Sequence, residues 1–382
     1  MTSLITQDQQ QLKLGLWSIA LATFEQAIAL DEADGSAWEG KAAALKKLGR
    51  WAEVVEVEER LVEIRSRAIV PNQPIVSEPR KELPTNEEVT NQENLAEQWA
   101  DSGVQKGIQG DFLGSIQDFE KAIEIKPDLH NAWNGRGVSL SQLGRNEEAI
   151  ESYEKAIEIQ PDLYKAWFNG GISLSVLGRS EEAIVSYEKL IETEPDYHQA
   201  WFNRGIELSS LGRRGEAIEF YEKAIEIKPD LHEAWYNRGN SLDALGRKGE
   251  AIESYEKAIE IKPDDYYTWL NQGVLLYELG RNEEAIVSFE KALKIKPDYH
   301  EAWYNRGSLL SKLDRNKEAI ASYEKALKIK PDYHKAWYNR GLILYKLGRY
   351  EEAIVSFEKV LKIKPNYNRA LTNRDIWLDE LD

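Results

Sequence analysis

Hydrophobic positions in this chain fall in paired helical stripes, separated by breaks at fixed places. Between 164 and 197, Trp167, Gly170, Leu174 and Leu177 share one stripe at a 3.6-residue period. Gly178 follows as a left-handed C-cap. Ser180 is placed to cap a second helix, with Glu181 and Glu182 at its positive end. Ala183, Ile184, Tyr187 and Ile191 make that helix's apolar stripe. Pro195 stops it, and Asp196 is placed to cap the helix that follows. The pattern predicts two short helices per unit, joined by a tight turn.

The same pattern returns every 34 residues. Trp falls at 99, 133, 167, 201, 235, 269, 303 and 337, and Pro at 127, 161, 195, 229, 263, 297, 331 and 365. A small residue keeps step from Ser115 to Ala353, and an aromatic from Phe119 to Phe357. Asp230 with Glu233, and Asp298 with Glu301, have the spacing of capping boxes. Lys126, Lys228, Lys262, Lys296, Lys330 and Lys364 sit where a helix ends and its dipole favours a cation. Trp, Gly, Ala, an aromatic, Ala and Pro in a 34-residue frame resemble the tetratricopeptide repeat. Segments such as Ala-Trp-Tyr-Asn-Arg-Gly at 302–307 and 336–341 resemble long bacterial arrays of that family. The resemblance implies an all-α fold, a right-handed α-solenoid of antiparallel helix pairs whose concave inner face forms a groove. Departures are few: Asp314 stands in for the turn Gly and Thr268 for Ala, while Leu190 and Val360 enlarge a small-residue column.

Eight such units cover 96–367, and 368–382 reads as a capping helix with Trp377 and Leu378 as apolar cover. Trp38 is out of register with Trp99, yet 1–68 reads as two weaker repeats carrying Phe24, Trp38, Leu45 and Leu61. Two repeats bury little, since an array needs about three. They are expected to dock on the main array or on a second chain, the latter giving a homodimer. Between the blocks, 69–95 holds Pro71, Pro74, Pro79 and Pro84 and reads as an extended linker.

Composition narrows the function classes. The formal net charge of -17 repels phosphate backbones and argues against nucleic acid as a partner. With no Cys, disulfides, thiolate metal sites and Cys nucleophiles are excluded. No stretch is apolar enough to span a membrane. Met1 to Leu30 lacks a basic flank and carries Asp8, unlike a secretory signal, so a cytoplasmic location is expected.

Candidate chemistry is sparse. His130, His198, His232, His300 and His334 share one repeat column, roughly 8–10 Å apart. Metal ligands must lie about 2 Å from the ion, so no metal is expected. The Trp column lies on an apolar stripe and reads as core, so that truncating one Trp costs ~3–5 kcal/mol. Arg136, Arg204, Arg238, Arg306, Arg340 and Arg374 fall on the packed side and suit ion pairs between units, with direct ligand contact as the other reading. Neither a catalytic constellation nor a phosphate loop occurs, so no enzyme activity and no cofactor is expected.

The open face of the first helix carries Asn169, Asn203, Asn237, Asn271, Asn305 and Asn339 without a break. An amide has two donors and an acceptor, enough to clasp the backbone of an extended peptide. The row resembles the asparagine ladder inside the tetratricopeptide superhelix of O-linked N-acetylglucosamine transferases. Its other reading is a scaffold role that only fixes repeat geometry. Beside it, Phe168, Phe202, Tyr236, Tyr304 and Tyr338 offer aromatic anchors, interrupted by Leu270. Lys165 with Asn169 and Asn203, and Lys335 with Asn339 and Asn373, match part of the family's carboxylate clamp, but Glu233 and Asn237 break its third element. The expected function is a scaffold or adaptor that binds extended segments of a protein partner. A self-assembling structural subunit, or the substrate-recruiting arm of a separately encoded enzyme, are the alternatives.

Overall fold

Each helix pair closes on a fit between one glycine and one ring. A Cβ added at Gly171 would lie 2.6 Å from the Tyr187 ring, and one at Gly205 2.6 Å from Tyr221. The same crossing recurs at Gly239 over Tyr255 and at Gly273 over Phe289, at 2.7 Å. Only a residue without Cβ lets the first helix approach that closely. Gly170, assigned to the apolar stripe, is not this residue: a Cβ there would meet Tyr153 at an ordinary 3.7 Å. The glycine that the packing requires is its neighbour, one position on.

The computed structural model describes residues 21, 24, 25, 27–29, 35–47, 57, 60, 61 and 86–378. The chain divides into two compact units, 1–83 and 84–382. From His130 to Ile363, first helices of 13 residues alternate with second helices of 14, as in Tyr164–Val176 and Ser180–Thr193. Every regular element among the described residues is a helix, and 86–378 is an all-α solenoid of helix pairs. Each second helix packs on its own first helix and on the next one. Between them lie the fully buried small residues, among them Ala166, Ala183, Ala200 and Ala217.

The Pro-containing segment is shorter than 69–95. A helix runs over Asn86–Ile108, so 86–95 is helical and not extended. Pro84 is the last helix-breaking residue before it. The remainder of the segment lies outside the described residues. The last helix spans Asn368–Leu378, and the side chains of Trp377 and Leu378 lie outside the described set. Within 1–83, the helix Gly35–Lys47 meets Phe24 at Gly40, where a Cβ would lie 2.2 Å from the ring. Leu45 and Leu61 share a buried cluster there with Trp38 packed against it.

Several punctuation marks act differently from the expectation. The left-handed turn residues hold: Gly178 has φ 71° and Asp314 takes φ 56° in the place of Gly. Lys126, Lys228, Lys262, Lys296, Lys330 and Lys364 are the C-cap residues. Ser180, however, is the first helical residue and the N-cap is Arg179, without a side-chain cap bond. Leu231 and Tyr299, not Asp230 and Asp298, are the N-caps of their helices, so neither capping box forms. The turn is held instead by a two-pronged ion pair three residues apart. Arg179 Nε and Nη2 donate to both oxygens of Glu182 at 2.6 and 2.5 Å, and each turn from Arg145 to Arg349 repeats it. A guanidinium fork matches a carboxylate in two parallel bonds, and this ties down the first turn that a cap would otherwise secure.

The tryptophans of the repeat column, Trp99 to Trp337, are half-buried, not core. From Trp133 to Trp337, each indole of the repeat column lies over the preceding turn, and its Nε1–H donates to the carbonyl of the Pro six residues earlier. The distance is 2.8 Å from Trp167 to Pro161 and 2.7 Å from Trp201 to Pro195. An indole N–H needs such a partner once its ring is partly covered. The neighbouring Ala or Thr, one position earlier, is what the core buries completely, Thr268 included.

Candidate peptide-binding groove

The first helix divides its duties between two sides. On the packed side the arginines join neighbouring units, as expected for ion pairs. Arg238 Nη2 reaches Glu222 of the preceding unit at 2.8 Å, and its Nη1 donates to Ser254 of its own unit at 2.6 Å. Arg136, Arg306 and Arg340 repeat the arrangement. Arg204 pairs with Glu188 but meets Phe220 where the others have Ser, and its guanidinium stacks 4.3 Å from that ring. These residues are scaffold.

The open side carries the asparagine row, and every member of it is half-buried. Its members are not equivalent. Asn271 Nδ2 donates to the Tyr236 hydroxyl of the preceding unit at 3.0 Å and to Asn240 Oδ1 at 3.2 Å. Asn339 donates likewise to Tyr304 at 3.2 Å, and Asn373 to Tyr338 at 3.3 Å. Asn237 follows Phe202 and Asn305 follows Leu270, neither of which has a hydroxyl to offer. Asn203 follows Phe168 and lies beside the Tyr187 hydroxyl. Among the described residues no side-chain hydrogen bond engages Asn169, Asn237 or Asn305.

The aromatic column packs as well as presents. Phe168 stands edge-on to Tyr197 with ring centroids 5.1 Å apart, Tyr304 to Tyr333 at 5.1 Å, and Tyr338 to Tyr367 at 5.3 Å. Phe202 and Tyr236 lean on Tyr221 and Tyr255 of their own second helices. All five rings stay half-exposed toward the groove. Lys165 and Lys335 are exposed at its edge. Ile172 and Val176 present 39% and 66% of their surface, so the groove is apolar at that point.

Two contributors to this face escape a reading by columns. The second-helix tyrosines run under the first helix, and their hydroxyls surface on the groove floor. Tyr255 Oη donates to Asn240 Oδ1 at 2.7 Å and Tyr323 Oη to Ser308 at 3.2 Å. Burial pushes Tyr323 up to about 12, so its phenol stays a donor. The signal was present: a core column that alternates Tyr with Phe keeps its hydroxyl only where a polar partner waits. Asn240, Asp243, Tyr255 and Asn271 line a polar cavity of 210 Å³. Burial, and then the charge of Glu278, push the Asp243 carboxyl above its ordinary range.

The His column forms no shared site. Burial and neighbouring Lys charge lower His198 and His334, and no group of three His, Cys, Asp or Glu is placed to hold a metal among the described residues. None of the helices described is long and apolar enough to cross a membrane.

Family models described as tetratricopeptide repeat match 130–163, 198–231, 232–265 and 334–367, and also 152–185, 254–287 and 9–69. A further model, TPR repeat, matches 273–314 and 307–348. The chain belongs to the tetratricopeptide repeat family. No curated protein matches it. Among solved structures it is similar to YrrB, described as a TPR protein with an unusual peptide-binding site, at 24% identity and a TM-score of 0.45 over 50% of this chain and 97% of that one. It is similar to MamA at 27% identity and a TM-score of 0.41, over 42% of this chain and 94% of that one. A tetratricopeptide repeat protein from Parabacteroides merdae aligns at 18% identity and a TM-score of 0.48, over 66% of this chain and 99% of that one. A tetratricopeptide repeat chain is in general a scaffold for protein interaction.

Proposed function

We propose that this tetratricopeptide repeat protein holds an extended segment of a partner protein along the groove face of 130–373. One observation carries the reading. The amides of Asn169, Asn237 and Asn305 are half-buried on that face and lack side-chain hydrogen bonds among the described residues. A ligand backbone supplies the donors and acceptors they lack, each bond worth about 0.5–1.5 kcal/mol net. Asn271 and Asn339 serve the scaffold first, because their Nδ2 groups are engaged by tyrosines. Phe168, Phe202, Tyr236, Tyr304 and Tyr338 supply half-exposed rings beside the amides, and aromatic residues dominate binding hot spots. The reading is of an adaptor without chemistry of its own.

The test begins with a pull-down from native lysate and mass spectrometry of what is retained. Asn169→Ala combined with Asn237→Ala should weaken the recovered partner about tenfold or more and leave the melting temperature unchanged. A double variant that melts early yet binds normally once folded would assign these asparagines to the scaffold. Light scattering over a concentration series separates this reading from a self-assembling subunit, which would give a stable larger species.

A further inference from the structure

On the arginine side of the array, away from the asparagine row, one junction between units is filled and another is open. At the filled one, the Phe220 and Trp201 ring centroids lie 5.6 Å apart, and the Arg204 guanidinium lies 4.3 Å from the Phe220 ring. Three units later, Trp303, Arg306 and Ser322 stand at the same repeat positions. Ser322 carries no ring, and its hydroxyl accepts from Arg306 Nη1 at 2.8 Å. The space that Phe220 fills is here a cleft of about 450 Å³, with Leu293, Trp303 and Ala321 as its apolar lining. Ala321 widens it, since the same column otherwise holds Gln, Glu or Val, from Gln117 to Val355.

The charge around the cleft reverses as well. In earlier second helices the repeat lysine is tied to a glutamate three residues on. Lys155–Glu158, Lys189–Glu192, Lys223–Glu226 and Lys257–Glu260 span 2.6 to 2.8 Å. From Asn282 onward that glutamate is a lysine, at Lys294, Lys328 and Lys362. Lys291, Lys325 and Lys359 thereby lose their partner, and among the described residues none of the six lysines is in an ion pair. All six are exposed, and Lys294 and Lys325 line the cleft itself. Its one acid, Glu290, is already tied to Arg306 at 2.8 Å. A chain of net charge -17 thus carries a basic strip along its last three second helices. Ser152 and Ser254 also leave the ring out, but Glu151 and Glu253 stand at the Ala321 place there, and Lys155 and Lys257 stay paired.

We propose that this cleft and its lysine strip form a second docking surface, which takes an acidic segment of a partner protein through one aromatic side chain. The ring takes the place that Phe220 takes three units earlier, against the Trp303 indole and the Arg306 guanidinium. Rings favour both neighbours, the first by offset or tilted stacking and the second by cation–π attraction. Carboxylates on either side of the ring meet Lys294, Lys325 and Lys328. Exposed ion pairs add little affinity singly, but they steer a negative segment to this strip and away from the acidic remainder of the chain. The surface is separate from the asparagine groove and does not rest on that reading.

The experiment uses the full chain with 13C-labelled Leu methyl groups and follows Leu293. The probes are acetylated, amidated pentapeptides: Asp-Glu-Phe-Asp-Glu, the same peptide with Ala for Phe, and Lys-Lys-Phe-Lys-Lys. The Leu293 methyls should shift with the first peptide, at an affinity about tenfold above that of the Ala peptide, and stay still with the lysine peptide. Lys294→Glu combined with Lys328→Glu copies the earlier units, so the fold should hold, and affinity for the Phe peptide should fall about tenfold. Ser322→Phe copies Phe220 and should plug the cleft, erasing the advantage of Phe over Ala. Should that variant misfold, Ala321→Glu copies Glu219 and Glu253 at the surface and should do the same. Asn169→Ala combined with Asn237→Ala should leave these affinities unchanged. Equal responses to the Phe and Ala peptides, equal responses to the acidic and basic peptides, or no shift at Leu293 overturn the proposal. So does a Phe advantage that survives the plugged cleft. An oligothymidylate that moves Leu293 where the acidic peptide does not would assign the strip to nucleic acid instead. Self-association in light scattering that the two lysine changes abolish would assign it to a second copy of the chain. Either result also overturns the acidic partner.

Discussion

In the units spanning 164–265, the first helices place Phe168 and Phe202 ahead of Asn203 and Asn237. From 232 onward they place Tyr236, Tyr304 and Tyr338 ahead of Asn271, Asn339 and Asn373. In the second stretch each of those asparagines is engaged by the tyrosine before it. In the first stretch Asn237 has no such tie among the described residues. The glycine crossings are alike in both stretches, and in both an arginine pairs with a glutamate of the preceding unit, though Arg204 meets Phe220 where the others bond a serine. The difference teaches that one phenolic oxygen decides whether the next amide is engaged by the frame, and under the proposed function an amide left unengaged is the one open to a ligand. A row that is constant in sequence thus has members in two states of engagement, set in part by a neighbouring column that varies.

The comparison requires an equal frame in both stretches, and the largest expected effect tests that. Gly205→Ala and Gly273→Ala each drive a Cβ to 2.6 or 2.7 Å from a buried ring. Overpacking of this kind costs about 1–3 kcal/mol. Chemical denaturation of both variants should give losses that agree within about 0.5 kcal/mol, the ordinary scatter of surface effects. A large loss at one site alone would mean that the two stretches differ in more than their groove wiring.

Next in size are the indole clamps. Trp201→Phe and Trp303→Phe keep an aromatic ring but remove the Nε1 bonds to the Pro195 and Pro297 carbonyls, at 2.7 and 2.8 Å. Each should lower stability by about 0.5–1.5 kcal/mol. This is less than a core position would lose, because these rings are only half-buried. A loss near 4 kcal/mol in denaturant melts would restore the core assignment.

How much of this was legible in the sequence depends on what sets each feature. The 34-residue frame, the helix pairs and the C-cap lysines were legible because each is local: a stripe, a turn residue, a dipole. The caps were misread at Ser180, Asp196, Asp230 and Asp298 because capping depends on one residue of register, and helix boundaries shift by that much. Trp was placed in the core because periodicity reports which face a residue occupies and not how deeply its neighbour covers it. The ion pairs of Arg238 and Arg306 were legible from the wheel. The tie between Asn271 and Tyr236 was not, since it joins residues 35 apart on adjacent units, and only packing brings those together.

The asparagines themselves give the third effect. Asn271→Ala breaks the bonds to Tyr236 and Asn240 and should cost about 1 kcal/mol. Asn237→Ala should leave the melting midpoint within about 0.5 kcal/mol of the parent and act on ligand binding instead. Single variants are needed, because a double change at 237 and 271 mixes a frame effect with a groove effect. If both variants destabilise equally, the division between the two stretches fails.

The smallest effect on stability is the sharpest on the comparison. Tyr304→Phe removes the hydroxyl that accepts from Asn339 Nδ2 at 3.2 Å, and Phe202→Tyr adds one ahead of Asn237. Both changes keep the ring, its packing on Tyr323 or Tyr221, and the helix. Each should shift stability by no more than about 0.5–1 kcal/mol, since half-exposed groups exchange a protein partner for water. Their effects on ligand binding should be opposite in sign. Phe202→Tyr gives Asn237 an intramolecular partner that competes with the ligand backbone, and affinity for the groove-bound segment should fall several-fold. Tyr304→Phe releases Asn339, and affinity should hold or rise where the ligand extends that far. Isothermal titration of the two variants against the partner recovered by pull-down measures both. Changes of the same sign, or none at either site, would mean that the hydroxyls do not govern which asparagines the ligand can reach.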